Sequence, residues 1–214
     1  MNKQEIQQLR QEYSQHTLDE SDVAKTPFNQ FEIWFNEAFS SEVNETNAMT
    51  LCTVDSSNKP HGRIVLLKGF DEKGFTFYTN QASNKGIDIA TNPNVSISFF
   101  WKELERQVQI EGIAEKLPRE ESEIYFKSRP HMSQIGAMAS NQSEVVKNRD
   151  FLDEKFNTLS AKYPEGTVPM PETWGGYLIK PIYFEFWQGR RSRLHDRITY
   201  KKEEKSWLIQ RLSP

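Results

Sequence analysis

Cationic side chains flank a short apolar segment of the sequence, and a turn joins it to a second apolar segment. Arg63 and Lys68 bracket the first run, at residues 64–67, and residues 75–78 form the second. Both runs have the length and the β-branched or aromatic character of strands. Gly74 ends the intervening turn and can adopt the positive φ that such a loop commonly needs. We therefore predict a β-hairpin with cations at the two ends of its first strand, and the turn length predicts that Phe70 pairs with Phe75.

A hydroxyl-rich loop follows this hairpin. Ser83 suits the N-cap of a short helix that Pro93 ends, and Lys85 lies in the first turn of that helix. Hydroxyls and a cation at a helix N-terminus can bind a phosphate, although cations beside a strand are also common at solvated sheet edges. Side chains alternate along a strand, so Arg63 and Lys68 are expected on opposite faces and not in one flat patch.

A second cluster consists of alternating basic residues near the C-terminus, namely Arg191, Arg193, His195 and Arg197. On a strand, these side chains would share one face at spacings of about 7 Å. A like-charged row is unfavourable unless it binds an anion, or unless it protects an exposed strand edge. Trp187 and Leu194 add apolar surface nearby, which favours a pocket for a planar, charged ligand.

A third cluster has helical spacing. Tyr125, Arg129 and Ser133 would form one stripe if Pro130 began a new helix without changing its direction. All three side chains can donate hydrogen bonds to a phosphate, although such a stripe is also typical of a solvated helix face.

Amide and hydroxyl side chains that suit a heterocyclic ligand occur at two further places. Gln107 follows Arg106 in a predicted strand, and Gln142 and Ser143 follow Asn141. The alternative interpretation is that these residues lie at a strand edge and at an N-cap.

Composition and motifs argue against several classes of protein. The net charge of −3 and the pI near 5.9 disfavour a general nucleic-acid binder. Cys52 is the single cysteine, which excludes an intramolecular disulfide and favours the cytoplasm. The histidines are too scattered for a zinc site, and we interpret His61 and His131 as surface residues. GxGxxG, P-loop, GxSxG and HExxH motifs are missing, as are a signal peptide and an apolar stretch of membrane-spanning length.

The predicted elements form an α+β domain at residues 27–214, preceded by an arm and linker at residues 1–26. A short helix is expected within residues 2–14, an aromatic helix at 28–39, and helices within 119–156 that break near Pro130 and Ser140. Strands are expected at 49–54, 63–70, 75–79, 95–101, 106–114, 177–187, 193–200 and 206–212. Short connections favour antiparallel pairing, so an antiparallel barrel is predicted instead of a parallel βαβ sheet.

Ordered sequence blocks carry a resemblance that runs from about Arg10 to Pro214, nearly the whole chain. They are RIVLLK (63–68), FYTN (77–80), LERQV (104–108), SRP (128–130), SQIGA (133–137), FWQG (186–189) and RLHDR (193–197). In these blocks the chain resembles the pyridoxamine 5′-phosphate oxidase family. The resemblance implies an FMN-binding split β-barrel with flanking helices, and a homodimer with FMN at the subunit interface.

The resemblance also implies which residues bind the ligands. FMN would contact Arg63, Ile64, Val65, Leu66, Leu67, Lys68, Tyr78, Thr79, Asn84, Lys85, Gln107, Gln142, Ser143, Trp187 and Arg197. A phosphorylated pyridine substrate would contact Arg10, Tyr13, Lys68, Tyr125, Arg129, Ser133, Arg193 and His195, with Arg193 and His195 as the catalytic pair. Relatives often carry Arg in place of Asn84, so one charged phosphate contact is expected to be missing or weaker here.

The implied reaction oxidises C4′ of pyridoxine or pyridoxamine 5′-phosphate to the aldehyde of pyridoxal 5′-phosphate, passing electrons to FMN and then to O2 to give hydrogen peroxide. The place of His195 among arginines favours its neutral form and suggests the hypothesis that it takes a proton. Two alternatives stay open: another split-barrel FMN oxidase or reductase, and a non-catalytic carrier of FMN or pyridoxal phosphate.

Overall fold

The computed structural model describes residues 2–9 and 12–214, which form two compact units. The first unit contains the described residues up to Met49, together with Ile97–Glu111 and Pro181–Pro214. The second unit contains Thr50–Ser96 and Gly112–Lys180. Strands and helices occur in both units, as expected for an α+β protein. The division at residue 26 into an arm and a domain stays a prediction.

The elements agree with most of the sequence predictions. The helices are α1 (Lys3–Gln8), α2 (Pro27–Ser40), α3 (Asn84–Thr91), α4 (Arg119–Ser128), α5 (His131–Ala139) and α6 (Arg149–Lys162). The strands are β1 (Ala48–Val54), β2 (Pro60–Leu66), β3 (Gly69–Asp71), β4 (Gly74–Asn80), β5 (Asn94–Trp101), β6 (Arg106–Lys116), β7 (Trp174–Gln188), β8 (Asp196–Lys202) and β9 (Trp207–Arg211). Among the described residues, no helix is long and apolar enough to cross a membrane.

The strand order along the sheet is β2-β1-β5-β6-β7-β4-β3. The β3–β4 hairpin is antiparallel and pairs Phe70 with Phe75, as the turn length predicted. Asp71 accepts hydrogen bonds from the backbone N–H groups of Lys73 and Gly74. Gly74 has a φ of +148°, and a Cβ there would lie 2.0 Å from the carbonyl oxygen of Ile179. Only glycine fits this turn.

A single strand was predicted at residues 63–70. This prediction is wrong in one respect, because the segment is divided between β2 and β3. The predicted break in the helical region is confirmed: α4 ends at Ser128, and α5 begins at His131. Pro130 disfavours the helical conformation of the residue before it, and Arg129 is accordingly extended, with φ −73° and ψ 149°.

In the first unit, α2 packs its aromatic face on strand residues. Phe31 lies 5.1 Å from Phe99 between ring centroids, and Trp34 lies 5.3 Å from Phe186 in an edge-on arrangement. All four side chains are buried. The antiparallel pairs β7–β8 and β8–β9 complete this unit. Large aromatic side chains therefore stabilise this core by burial and by ring geometry.

The short helix expected within residues 2–14 is α1, which Asn2 and Glu5 close with a reciprocal capping box. One prediction for the first unit needs correction. The strand expected at residues 193–200 begins only at Asp196, because Arg191–Arg193 form a 3-10 turn in which Ser192 and Arg193 have φ of 56° and 62°. A left-handed backbone cannot continue an extended strand.

Candidate functional site

A cavity of about 640 Å³ in the second unit, here called the cationic cavity, contains many of the predicted site residues. Its volume suits a small-molecule ligand. It is lined by Arg63, Ile64, Val65, Leu66, Lys68, Tyr78, Thr79, Lys85, Tyr125, Arg129, Pro130, Ser133, Gln142 and Trp174. These residues include four cationic side chains and no carboxylate. The cavity is therefore suited to an anionic ligand with apolar parts.

Lys85, in the first turn of α3, defines one corner of the cationic cavity. Its side chain is only 9% exposed, and its Nζ donates hydrogen bonds to Gln142 Oε1 at 2.9 Å and to Ser83 Oγ at 3.1 Å. Thr79 also donates to Gln142 Oε1, at 3.0 Å. Burial lowers the pKa of Lys85, and the charge of Arg63 lowers it further. Both acceptors of Lys85 are neutral, so its charge is left for a ligand.

The other predicted residues near this corner are arranged differently. The backbone N–H of Asn84 donates to Ser143 Oγ at 3.2 Å, so these two residues join α3 to the loop that carries Gln142. Ser83 precedes α3 as predicted, but its hydroxyl donates to the Asn80 carbonyl and does not cap the helix. Leu67 is buried in the core and does not line the cavity.

Arg63 is held by a buried carboxylate that the sequence reasoning missed. Its Nη1 donates to Thr53 Oγ1 at 2.7 Å and to the Leu51 carbonyl at 3.2 Å, while its Nη2 lies 3.7 Å from Asp88 Oδ2. Asp88 Oδ2 also accepts a hydrogen bond from Thr53 at 2.6 Å and lies 3.0 Å from His61 Nδ1. Asp88 is on the same helix as Lys85, three residues later, and this helical spacing is the signal that could have identified it.

Arg63 and Lys68 were expected on opposite faces, but both line the cationic cavity. The expectation assumed one continuous strand, whereas β2 ends at Leu66 and β3 begins at Gly69. The break between these strands interrupts the alternation of side chains. Four successive residues from Arg63 to Leu66 line the cavity, so the two cations reach one cavity without forming one flat patch.

Arg129, Tyr125 and Ser133 meet at another corner of the cationic cavity, but not as the continuous helical stripe that was predicted. The chain bends between α4 and α5, and Arg129 lies in the bend. Its guanidinium lies over the ring of Trp174, 5.0 Å from the ring centroid. Burial lowers the pKa of Arg129, although Tyr125 acts in the opposite direction. Arg129 Nη1 is buried and has no hydrogen-bond partner, so this corner contains a free cationic donor.

Stacked aromatic rings form the wall beside Arg129. Tyr78 and Tyr125 stack with centroids 4.0 Å apart, and Trp174 stacks on Tyr78 at 5.4 Å. Trp174 was not among the predicted site residues, because no local spacing relates it to Tyr125. Its position at the start of β7, which pairs with β4, brings it opposite Asn80 in the β4–β7 register.

A second cavity, of about 630 Å³, lies in the first unit and is here called the His195 cavity. It is lined by Leu9, Glu12, Tyr13, Arg190, Ser192, Arg193 and His195. The predicted row of basic residues on one strand face is wrong, because the 3-10 turn redirects Arg191 and Arg193. Arg193 and His195 nevertheless line one cavity with Tyr13, and their contact with a substrate stays a prediction. Arg10 lies outside the described residues.

The ring of His195 is fixed by the backbone and by two aromatic neighbours. The N–H of Arg190 donates to His195 Nδ1 at 3.0 Å, so the neutral ring carries its proton on Nε2. The ring centroid lies 4.6 Å from Trp187 and 6.0 Å from Tyr13. Burial lowers the pKa of His195, the charge of Arg193 lowers it further, and Asp196 opposes the shift. His195 is therefore a neutral hydrogen-bond donor at pH 7.

The remaining predicted residues have less direct roles. Arg197 forms a two-point ion pair with Glu185, at 2.7 and 2.9 Å, and also donates to the Ser213 carbonyl. Gln107 is half-buried on β6 and lines neither cavity. His131 was interpreted as a surface residue, but its Nε2 lies 2.8 Å from the carbonyl oxygen of Tyr163. The described part of the chain has no group of three or more His, Cys, Asp or Glu side chains that could hold a metal ion.

Two family models together match most of the chain. Residues 35–163 match the model described as pyridoxamine 5′-phosphate oxidase, and residues 174–214 match the pyridoxine 5′-phosphate oxidase C-terminal dimerisation region. A protein of Acaryochloris marina named pyridoxine/pyridoxamine 5′-phosphate oxidase is 49% identical over 209 residues, covering 98% of this chain and 95% of that protein. A protein of the same name from Haemophilus influenzae is 51% identical over 210 residues, covering 98% of this chain and 100% of that protein.

Two solved structures are similar to this chain over most of its length. PhzG from Burkholderia lata, in complex with tetrahydrophenazine-1-carboxylic acid, gives a TM-score of 0.87 at 26% identity and covers 94% of this chain and 100% of its own. A pyridoxamine 5′-phosphate oxidase-related, FMN-binding protein from Nostoc punctiforme gives a TM-score of 0.71 at 14% identity. This match covers 90% of this chain and 100% of that protein. The second similarity concerns the fold alone.

Proposed function

The chain belongs to the pyridoxamine 5′-phosphate oxidase family, and we propose that it oxidises pyridoxine and pyridoxamine 5′-phosphate to pyridoxal 5′-phosphate. FMN is its cofactor, O2 is the electron acceptor, and hydrogen peroxide is released. The split-barrel class expected from the resemblance is confirmed by the family match and by the structural similarity. The observation that carries the proposal is the cationic cavity, in which a buried Arg129 donor has no partner.

The cationic cavity fits a flavin phosphate and a substrate phosphate. Lys85 has only neutral acceptors at one corner, and Arg129 Nη1 is unpaired at another. We assign the FMN phosphate to the corner of Lys85 and Arg63, and the substrate phosphate to the corner of Arg129, Tyr125 and Ser133. Guanidinium and ammonium groups with hydroxyl neighbours are the donors that phosphates prefer.

The residues of this chain act chiefly by binding the substrate and the cofactor and by orienting them relative to each other. When bound, FMN accepts two electrons from C4′ of the substrate, and O2 takes them up as hydrogen peroxide. Two separately anchored phosphates restrict the motion of substrate relative to cofactor, so reaction is favoured by proximity. We propose that Arg193 and His195 orient the pyridine ring and its reacting substituent. Arg10 and Tyr13 would close over the substrate from the N-terminal segment.

The hydrogen bond from Arg190 changes the hypothesis for His195. Nε2 already carries the proton of the neutral ring, and Nδ1 is occupied by the Arg190 N–H. We therefore propose that His195 donates a hydrogen bond to the substrate and does not take its proton. Because its pKa is lowered, the ring becomes charged only below its ordinary value of about 6.5.

A glutamine in place of His195 distinguishes these two roles. The amide of His195→Gln can donate a hydrogen bond but cannot accept a proton, so we expect flavin reduction to stay within about 10-fold of wild type, since loss of a general base costs roughly 100-fold or more. The Nε2–H donor is present in both the neutral and the charged ring, so we also expect the variant and the wild type to show the same pH dependence of this rate. Single-turnover flavin reduction between pH 5 and 9 measures both. A loss of ~1,000-fold in the variant would restore the proton-transfer role.

The chain forms a homodimer, in line with its match to the dimerisation region at residues 174–214. FMN at the subunit interface is the arrangement that the family resemblance implies. We also propose a cytoplasmic location, which the single cysteine Cys52 supports.

Anaerobic mixing tests the oxidase function directly. The FMN-loaded protein is mixed with pyridoxine 5′-phosphate without O2, and the flavin absorbance is followed. Bleaching that air reverses, with formation of peroxide and pyridoxal 5′-phosphate, is the expected result. Ligand binding with an unchanged flavin spectrum would indicate a carrier. Bleaching by other reductants only would indicate a different split-barrel oxidase or reductase.

A further inference from the structure

We propose that Glu105 is a positioning residue that holds Tyr13 and the turn before His195 at the His195 cavity. The inference rests on the proposed function, because that cavity is where we place the substrate ring. Glu105 does not line the cavity and was not among the residues predicted to contact a ligand. Its role is therefore to act through other residues.

The carboxylate of Glu105 binds the backbone of the N-terminal segment. Its Oε2 accepts hydrogen bonds from the N–H of Ser14 at 2.8 Å and from the N–H of Gln15 at 3.1 Å. These two amides immediately follow Tyr13. Glu105 is only 8% exposed, so the acceptor side of these partly buried bonds has little contact with water. Hydrogen bonds to a charged acceptor are stronger than neutral ones, and one carboxylate oxygen here fixes two successive peptide groups.

The backbone of Glu105 binds the other side of the same cavity. Its carbonyl oxygen accepts a hydrogen bond from the N–H of Gly189 at 2.8 Å. Gly189 lies between the end of β7 and the 3-10 turn at Arg191–Arg193, which precedes His195. A Cβ on Gly189 would lie 2.7 Å from Cβ and Cγ of Tyr13, so the segment and the turn are in close contact. One residue thus connects both walls of the cavity.

A buried polar network fixes the backbone of Glu105. Gln188 Nε2 donates to the carbonyls of Leu104 and Glu105, at 3.2 and 3.3 Å, and Gln188 Oε1 accepts from Arg106 Nε at 2.9 Å. Arg106 in turn pairs with Glu37 and lies over the ring of Trp34. Buried, satisfied networks of this kind rigidify their surroundings. Glu105 is therefore a rigid anchor for the more exposed N-terminal segment.

Glu105 has a φ of +55°, which makes the choice of variants informative. Glycine adopts this conformation without strain, whereas alanine does not. Glu105→Gly removes the carboxylate and relaxes the backbone, Glu105→Ala removes the carboxylate alone, and Glu105→Gln keeps one oxygen acceptor. Glu103→Ala is a matched control, since Glu103 is exposed in the adjacent 3-10 turn.

Hydrogen exchange of the FMN-loaded dimer, followed by mass spectrometry, tests the contact without turnover. We expect exchange at the amides of Ser14 and Gln15 to accelerate at least about 10-fold in Glu105→Ala and Glu105→Gly, and much less in Glu105→Gln and Glu103→Ala. Steady-state kinetics should show that the same two variants raise the KM for pyridoxine 5′-phosphate about 10-fold, with kcat changed less than about threefold.

Each outcome decides the proposal. Unchanged exchange at both amides in the glycine and alanine variants would overturn it. Faster exchange with an unchanged KM would also overturn it, because the contact would then be structural only. Recovery of KM in the glycine variant would assign the effect to backbone strain and would reject the carboxylate. The exchange measurement needs no catalysis. A failure of the oxidase assignment can therefore be distinguished from a failure of the proposal for Glu105.

Discussion

Replacing Arg129 with methionine (Arg129→Met) is expected to lower kcat/KM for pyridoxine 5′-phosphate about 100-fold, equivalent to ~3 kcal/mol. The reason is that Arg129 Nη1 is a buried cationic donor without a hydrogen-bond partner among the described residues, and a bound phosphate would supply one. The phosphate would lose this donor in a site where little water replaces it. Steady-state kinetics with purified, FMN-loaded variant protein measure the change.

The same substitution should leave the stability of the ligand-free protein almost unchanged. Burying an unpaired polar group costs ~1–3 kcal/mol, which the methionine removes. The contact of the guanidinium with the ring of Trp174 is worth ~0.5–2 kcal/mol, which the methionine loses. These terms largely cancel, so urea denaturation should give a free energy of unfolding within about 1 kcal/mol of wild type.

Two controls separate a phosphate contact from a general defect. Lys127→Met removes an exposed cation from the preceding helix α4, where Lys127 pairs with Glu123, and should have almost no effect on kinetics. Pyridoxine without its phosphate should be oxidised at the same low efficiency by wild type and by Arg129→Met. If the variant lost activity equally on both substrates, Arg129 would not be the phosphate ligand.

The elements that hold these residues could largely be predicted from the sequence, because their signals are local. The aromatic spacing of Phe31 and Trp34 predicts the buried face of α2. Pro130 predicts the helix break, since it restricts the residue before it. The turn chemistry of Asp71 and Gly74 sets the register of the β3–β4 hairpin, and the structure confirms that register.

The arrangement of the basic C-terminal residues could not be predicted in the same way. The alternation of side chains holds only while the backbone is extended, and Ser192 and Arg193 are left-handed. Left-handed backbone is uncommon for residues other than glycine, so nothing in their types signalled the turn. The family resemblance placed Arg193 and His195 at one site, whereas the strand argument gave a geometry that the structure contradicts.

Contacts between residues distant in the chain were also beyond sequence reasoning. Trp174 reaches the wall of the cationic cavity through strand pairing, and Glu105 reaches Ser14 through the tertiary fold. Neither contact leaves a periodic signal. Binding side chains such as Arg129 were therefore predicted by type, while the residues that position them became visible only in the structure.

Replacing Lys85 with methionine (Lys85→Met) is expected to raise the Kd for FMN about 100-fold while changing the Kd for riboflavin less than about threefold. Riboflavin lacks the phosphate, so a cation that binds the phosphate distinguishes the two flavins. Lys85 is buried with neutral acceptors, Gln142 and Ser83, and its remaining hydrogen-bonding capacity is available to an anion. Quenching of flavin fluorescence in titrations of the apoprotein measures both constants.

Lys73→Met is the matched control for this prediction, because Lys73 is an exposed cation in the β3–β4 turn. It should leave both constants unchanged, since an isolated surface charge is screened by water and salt. Equal losses of FMN and riboflavin affinity in Lys85→Met would mean that the lysine acts by supporting Gln142 and the surrounding loop. A selective loss of FMN affinity would place the phosphate at the N-terminus of α3, where the helix dipole and the Lys85 ammonium act on the same anion.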